Sequence, residues 1–326
     1  MKLATYRNSA PGATGNRLGA VLSNGNMLDL RLAYAGYLDR EQAEGRPYVI
    51  ANARVPRDMT EFLTGGERAL EAARVVVNYA EEEYKSGGEP TGPAGERCAL
   101  KPKNFHLCAV IPKPGKFLHT GLNSKKHVEN TGNKAPENVA GAPRFNASLI
   151  GHEEQVIHPE QTQKLDYEVE VGIVIGKRCK DVKPEDAFDA IVGYTIYNDI
   201  TAREVQRSAA LGGVFLGKNF DTTNPIGPYL VTADEVPNPN ELLVECRVNG
   251  DVRQHERLTD MIFDIPALVA FFSQMTLEPG DIISSGTFGG VAHEQEDPEP
   301  YFLKPGHVVE CEVEHLGILR NPIVAP

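Results

Sequence analysis

The chain has 326 residues, 41% of them hydrophobic and 24% charged, which is the composition of a folded globule and excludes a disordered or fibrous chain. A net charge of −12 argues against a nucleic-acid partner, because backbone binding needs a basic surface. No apolar run reaches membrane-spanning length, so no membrane partner is expected and the expected location is the cytoplasm.

In chain order, apolar residues 18–22 and 27–30 flank the turn Ser23-Asn24-Gly25-Asn26, predicting a hairpin. Ala69, Ala72, Ala73, Val76, Val77 and Ala80 recur at helical spacing, predicting a helix over 66–85 that Gly87 and Gly88 stop. The Gly- and Pro-dense residues 86–98 read as a linker. We therefore expect a small front domain over 1–100 and a strand-rich body over 101–326, with helices at 202–211 and 265–275. Five cysteines, Cys98, Cys108, Cys179, Cys246 and Cys311, lack paired spacing and read as buried free thiols.

In DYEVEVGIVIGK, residues 166–177, Glu168 and Glu170 lie two apart in a strand pattern, so both carboxylates leave one face while Val169, Val171 and Val174 are expected to pack the other. Solvent or a shared cation relieves their repulsion. A third carboxylate, Asp199, follows the apolar strand pattern of residues 190–197 and precedes TAREVQ, at a strand end where sites collect. Three hard oxygen ligands suit Mg²⁺ or Mn²⁺, and also Ca²⁺, and leave positions open for substrate.

The ordered blocks DYEVEVGIVIGK, YNDITAREVQ (197–206), GKNFDTTNPIGPYLV (217–231), VNGDVRQ (248–254), LEPGDIISSGTFGGV (277–291) and LKPGHVVECEVEHLGILRNPI (303–323) resemble the fumarylacetoacetate hydrolase family. The resemblance implies an α+β fold: a mixed β-sheet roll around a metal, preceded by a small α/β domain, in a homodimer. It implies Glu168, Glu170 and Asp199 as metal ligands, Lys218 and Gln206 as residues facing the substrate, and Thr287 as the holder of a substrate carboxylate. Arg203, one helical turn past Asp199, could bind a carboxylate or brace the metal carboxylates, and the brace is favoured. In KPGKFLHTGLNSKKHVEN (113–130), His127 matches the histidine that moves protons. The glutamate expected three residues later is Asn130 here, and Glu129, one residue earlier, is the candidate partner despite the ~100° rotation that one helical step entails. His119, His152 and His158 match no motif and read as solvated loop residues.

The implied substrates are small anionic 2-oxo acids. Hydrolysis of a C–C bond in an acylpyruvate-like 2,4-dioxo acid, through a metal-stabilised enolate, ranks first. Isomerisation, tautomerisation or decarboxylation of a 2-oxo or hydroxymuconate-type diacid ranks second. A metal-binding relative without turnover is the third reading.

Overall fold

A computed structural model describes residues 1–132 and 134–326. Among them the main sheet has twelve strands. Ten of them form the path Ala99–Leu100, Met27–Asp29, Arg17–Val21, Lys2–Asn8, Asn224–Thr232, Ile191–Asn198, Val169–Ile175, Ile282–Ser284, Phe117–Gly121 and Ala140–Pro143, with Phe105–Leu107 added on Lys2–Asn8 and Leu149–Ile150 on Asn224–Thr232. A second sheet of five strands contains Leu243–Val248, Asp251–Arg257, Val308–Val313, Gly317–Val324 and Val156–Ile157. Sheets with helices against them give the α+β class.

The expected hairpin is present, with Gly19 opposite Asp29 and Val21 opposite Met27. It does not open the chain: Lys2–Asn8 precedes it and pairs with both Arg17–Val21 and Asn224–Thr232. The expected front piece and body therefore share one sheet, and Leu3, Leu28 and Val76 lie in the same apolar core as Val174, Leu230 and Ile282. Strand pairing between segments more than 200 residues apart leaves no local mark in a sequence.

The helix Gly66–Lys85 lies where its periodicity placed it and buries Ala69, Ala72, Ala73, Val76 and Ala80. The helix Leu30–Gln42, capped by the Asp29 carboxylate on the Leu32 amide, was not legible because its apolar residues follow no clean stripe. Gly36 in that helix packs so closely on the linker that an added Cβ would lie 2.0 Å from the Thr91 carbonyl oxygen. The helix expected over 202–211 is much shorter, Arg203–Gln206, followed by a 3₁₀ turn Ala209–Leu211 and the helix Gly213–Gly217. Gly212, at φ +103°, breaks the run.

The strand Val169–Ile175 is buried along its whole length. Val169 and Val171 enter one core, whereas Val174 enters the other. This corrects the expectation that all three valines share a face: strand parity puts Val174 on the side of Glu168 and Glu170. The five thiols are free, four of them buried and Cys179 half-buried.

Candidate active site

The sheet register assembles the carboxylates. Val169 pairs with Asn198, and the Asp199 amide donates to the Glu168 carbonyl at 2.9 Å, so Glu168 and Asp199 leave adjacent strands at one level. Glu170, two residues along, points to the same side. The side chains of Asn198 and Gln254 accept the amides of Glu168 and Val169, each at 3.0 Å, and tie down the strand end where the ladder stops. Asp199 caps no helix; the cap position of the following helix is Ala202.

All three carboxylates are buried, and cations crowd two of them. Lys218 donates to Glu168 at 2.7 Å and also to Asp199. Arg144 grips Asp199 with Nε at 3.0 Å and Nη2 at 2.8 Å, and the Tyr197 hydroxyl donates to Asp199 at 2.7 Å. Arg203 donates through Nε to Asp166 at 2.8 Å and places Nη2 2.7 Å from Glu168. Burial opposes ionisation of Glu168, but Lys218 and then Arg203 hold it below the usual carboxylate range. Burial likewise opposes ionisation of Asp199, and Arg144 followed by Lys218 holds it well below that range.

Glu170 is the exception. Burial first, then Asp199 and Glu168, push its carboxyl well above the usual range. Its Oε2 accepts the Gly286 amide at 3.1 Å, whereas Oε1 is buried without a well-formed hydrogen bond. His119 reaches the same point, with Nδ1 3.0 Å from Asp199 and 3.7 Å from Glu170. One ligand atom from each of His119, Glu170 and Asp199 lies within 4.8 Å of the others. His119 is buried, which corrects its expected place in a solvated loop, and burial followed by Arg144 holds its imidazole well below the ordinary value, hence neutral. His158 is buried as well, against the Pro159 carbonyl, and His152 is half-buried.

A cavity of about 620 Å³ is lined by His119, Thr120, Glu168, Arg203, Gln206, Arg207, Lys218, Thr287 and His293, among others. Gln206 accepts from Arg203 at 3.2 Å. The Thr287 hydroxyl donates to the Val169 carbonyl at 3.2 Å and accepts from Gln254 at 3.0 Å, so in this conformation its proton is already placed. His293 is held below its ordinary value by burial, then by Arg203 and Arg207.

His127 sits on the short helix Lys125–Asn130, buried, with Nδ1 against the carboxylate of Glu294. The same carboxylate accepts from Asn130 and from the Gly290 amide, each at 2.7 Å. Glu129 is exposed. This corrects the expected partner: the helical step turns Glu129 to solvent, and the carboxylate comes from a segment 167 residues away. Asp166 fixes that segment by accepting the amides of Ala292 at 2.8 Å and His293 at 3.0 Å. Sequence reasoning passed over His119, Arg144, Tyr197 and Glu294. Tyr197 lies inside a quoted block, but only the folded site shows that Arg144 neutralises Asp199 and that the Tyr197 hydroxyl donates to it.

No helix among the described residues is long and apolar enough to cross a membrane. Over residues 271 long, the chain is 36% identical to "Oxaloacetate tautomerase fahd2, mitochondrial" of Xenopus laevis, covering 83% of this chain and 79% of that one. Among solved structures it resembles a fumarylacetoacetate hydrolase of Exiguobacterium antarcticum, at 27% identity and TM-score 0.73 over 99% of this chain and 100% of the other. A 5-carboxymethyl-2-hydroxymuconate delta-isomerase of Mycobacterium smegmatis matches at 27% identity and TM-score 0.68, over 100% of both chains. Residues 116–324 match the family "Fumarylacetoacetate (FAA) hydrolase C-terminal". The segment so matched contains every carboxylate and cation of the cavity, and the chain belongs to the fumarylacetoacetate hydrolase family.

Proposed function

We propose that this protein moves a proton between carbon and oxygen of a small 2-oxo dicarboxylate, a keto–enol tautomerisation with oxaloacetate as the first substrate to test. The observation that carries the reading is the cavity wall, where Lys218, Arg203, Arg207 and the neutral imidazole of His293 face one space. The cations suit a doubly charged anion, and the imidazole can take a proton from carbon. The Xenopus laevis relative, itself named an oxaloacetate tautomerase, supports the same chemistry.

A divalent ion, Mg²⁺ or Mn²⁺, fits the residues: the buried Oε1 of Glu170 has no hydrogen-bond partner, and Asp199 and Glu168 present further carboxylate oxygens beside it. Bound there, it would draw electron density from a chelated 2-oxo acid. Lys218 places a positive donor where negative charge develops on the substrate oxygen. His293 takes the proton from carbon as the C–H bond breaks and passes it to the substrate oxygen as the O–H bond forms, and the reverse path returns it to carbon. Arg203 acts through Glu168 and Asp166, orienting the carboxylate and the segment that carries His293.

The test follows the ultraviolet absorbance of enol-oxaloacetate with and without EDTA. Metal-dependent acceleration supports the proposal; equal rates with fully chelated protein would end it. The base must be neutral, and its ordinary value is lowered, so kcat/KM should fall only as pH drops below the usual histidine range. His293→Gln should remove this limb and lower kcat by about 10²-fold or more.

Hydrolysis of an acylpyruvate C–C bond is the second reading, favoured by one observation. A carboxylate-oriented imidazole, His127 on Glu294, is the arrangement that takes a proton from water. His127 is not among the residues bordering the cavity, which ranks this reading second. Release of pyruvate from an acylpyruvate, lost in His127→Gln, would promote it. The homodimer belongs to the same proposal, supported by Leu211, Val214, Phe215 and Leu216, exposed by 39–63% around the helix Gly213–Gly217.

A further inference from the structure

We infer that His119 supplies a nitrogen ligand, through Nδ1, to the divalent ion held by Glu170 and Asp199, and that this nitrogen tilts the site toward Mn²⁺, Co²⁺ or Zn²⁺ over Mg²⁺ and Ca²⁺. The inference rests on the metal-dependent reading above and goes beyond it in ligand set and ion choice.

The sheet builds the position. The parallel pairing of Ile282 with Phe117 and Ile283 with Leu118 sets His119 beside Ser284, and Ser284 in turn lies opposite Gly172 of the strand that bears Glu170. His119 therefore stands on a rigid element, buried, with Nδ1 turned to two carboxylates at 3.0 and 3.7 Å and 3.5 Å from the Ser284 hydroxyl. A lone pair facing two carboxylate oxygens is repelled unless a proton or a cation lies between them. A proton on Nδ1 would add one more donor to Asp199, whose Oδ2 already receives Arg144 and Lys218. It would leave Glu170 Oε1 without a partner, as it stands. A cation among the three ligand atoms serves all of them at once. Glu168, held by Lys218 and Arg203 as Asp199 is held by Arg144 and Lys218, stays among the oxygen ligands of that reading, and His119 adds the nitrogen. Imidazole nitrogen binds borderline transition metals far better than it binds hard Mg²⁺ or Ca²⁺, which strongly prefer oxygen.

The experiment is pulsed electron paramagnetic resonance on full-length protein loaded with one equivalent of Mn²⁺, which reads directly coordinated nitrogen without any turnover. A ¹⁴N modulation is expected in wild type, retained in His127→Gln and His293→Gln, and lost in His119→Gln while Mn²⁺ still binds. Should His119→Gln fail to fold, ¹⁵N-histidine labelling of wild type must convert the ¹⁴N modulation to ¹⁵N, with the other two variants again retaining it. Competition titrations should place Co²⁺ ahead of Mg²⁺, and His119→Gln should narrow that ratio by about tenfold or more, the loss that even an outer partner of a ligand causes. Bound Mn²⁺ without nitrogen modulation, or modulation that survives His119→Gln, would overturn the role of His119 and leave the metal-dependent reading standing. Wild type that binds no Mn²⁺ at all would overturn both.

Discussion

Glu170 is the residue at which burial and charge conflict most. Its carboxyl is raised well above the usual range, so the metal-free fold favours the neutral form. That contribution to stability is complete at pH below the ordinary carboxylate range and is lost as pH rises through the raised value. Glu170→Gln keeps a neutral side chain of nearly the same volume. Metal-free variant should therefore melt above metal-free wild type at alkaline pH, with the difference closing in acid. Excess Mn²⁺ should raise the Tm of wild type and not of the variant, since a ligand stabilises only the state that binds it. Equal metal shifts in both would remove Glu170 from the site. Arg144 presents the opposite case, a fully buried guanidinium whose partner Asp199 is also fully buried. Arg144→Ala removes two donors and a buried positive charge from that carboxylate, leaving it Lys218 and Tyr197, and should cost on the order of 3–5 kcal/mol in denaturant melts of metal-free protein. A loss below about 1 kcal/mol would mean that Lys218 and Tyr197 satisfy Asp199 without it.

At the scale of elements, the short helix Lys125–Asn130 and the 3₁₀ turn Ala292–Glu294 form one unit through Glu294, which joins His127, Asn130 and the Gly290 amide. On the hydrolytic reading, Glu294→Gln weakens the hold on His127 and should lower the rate of pyruvate release by about 10²-fold, whereas Glu129→Gln, on an exposed side chain, should leave rate and stability within error. Steady-state pyruvate release checks the ranking, and the reverse order would return the partner role to Glu129. The histidine and its helix were legible from KPGKFLHTGLNSKKHVEN, but its partner was not. Contacts across 167 residues obey no spacing rule, whereas Glu129 lies within one helical step of the expected position.

Over the whole molecule, the strand Lys2–Asn8 is the seam between front and body. It pairs with Asn224–Thr232 and shares a core with Val174 and Ile282. Removing residues 1–100 would uncover the edge of Asn224–Thr232 and the apolar faces above it. The fragment 101–326 should therefore aggregate or lose cooperative melting, although it contains every residue of the cavity. A monodisperse fragment with a sharp Tm would establish the body as an independent domain.

Local pattern determined the amphipathic helix Gly66–Lys85, the hairpin across residues 23–26, the strands that carry Glu168, Glu170 and Asp199, and the family, because each is written in spacing or in ordered motifs. Tertiary structure alone decided which charges meet. Register between distant strands brings His119 to Glu170 and closes the front of the chain into the body's sheet, while the segments between strands carry Arg144 and Lys218 to Asp199 and Glu294 to His127. Electrostatic energy falls with distance and rises with burial, and neither quantity exists until the chain is folded.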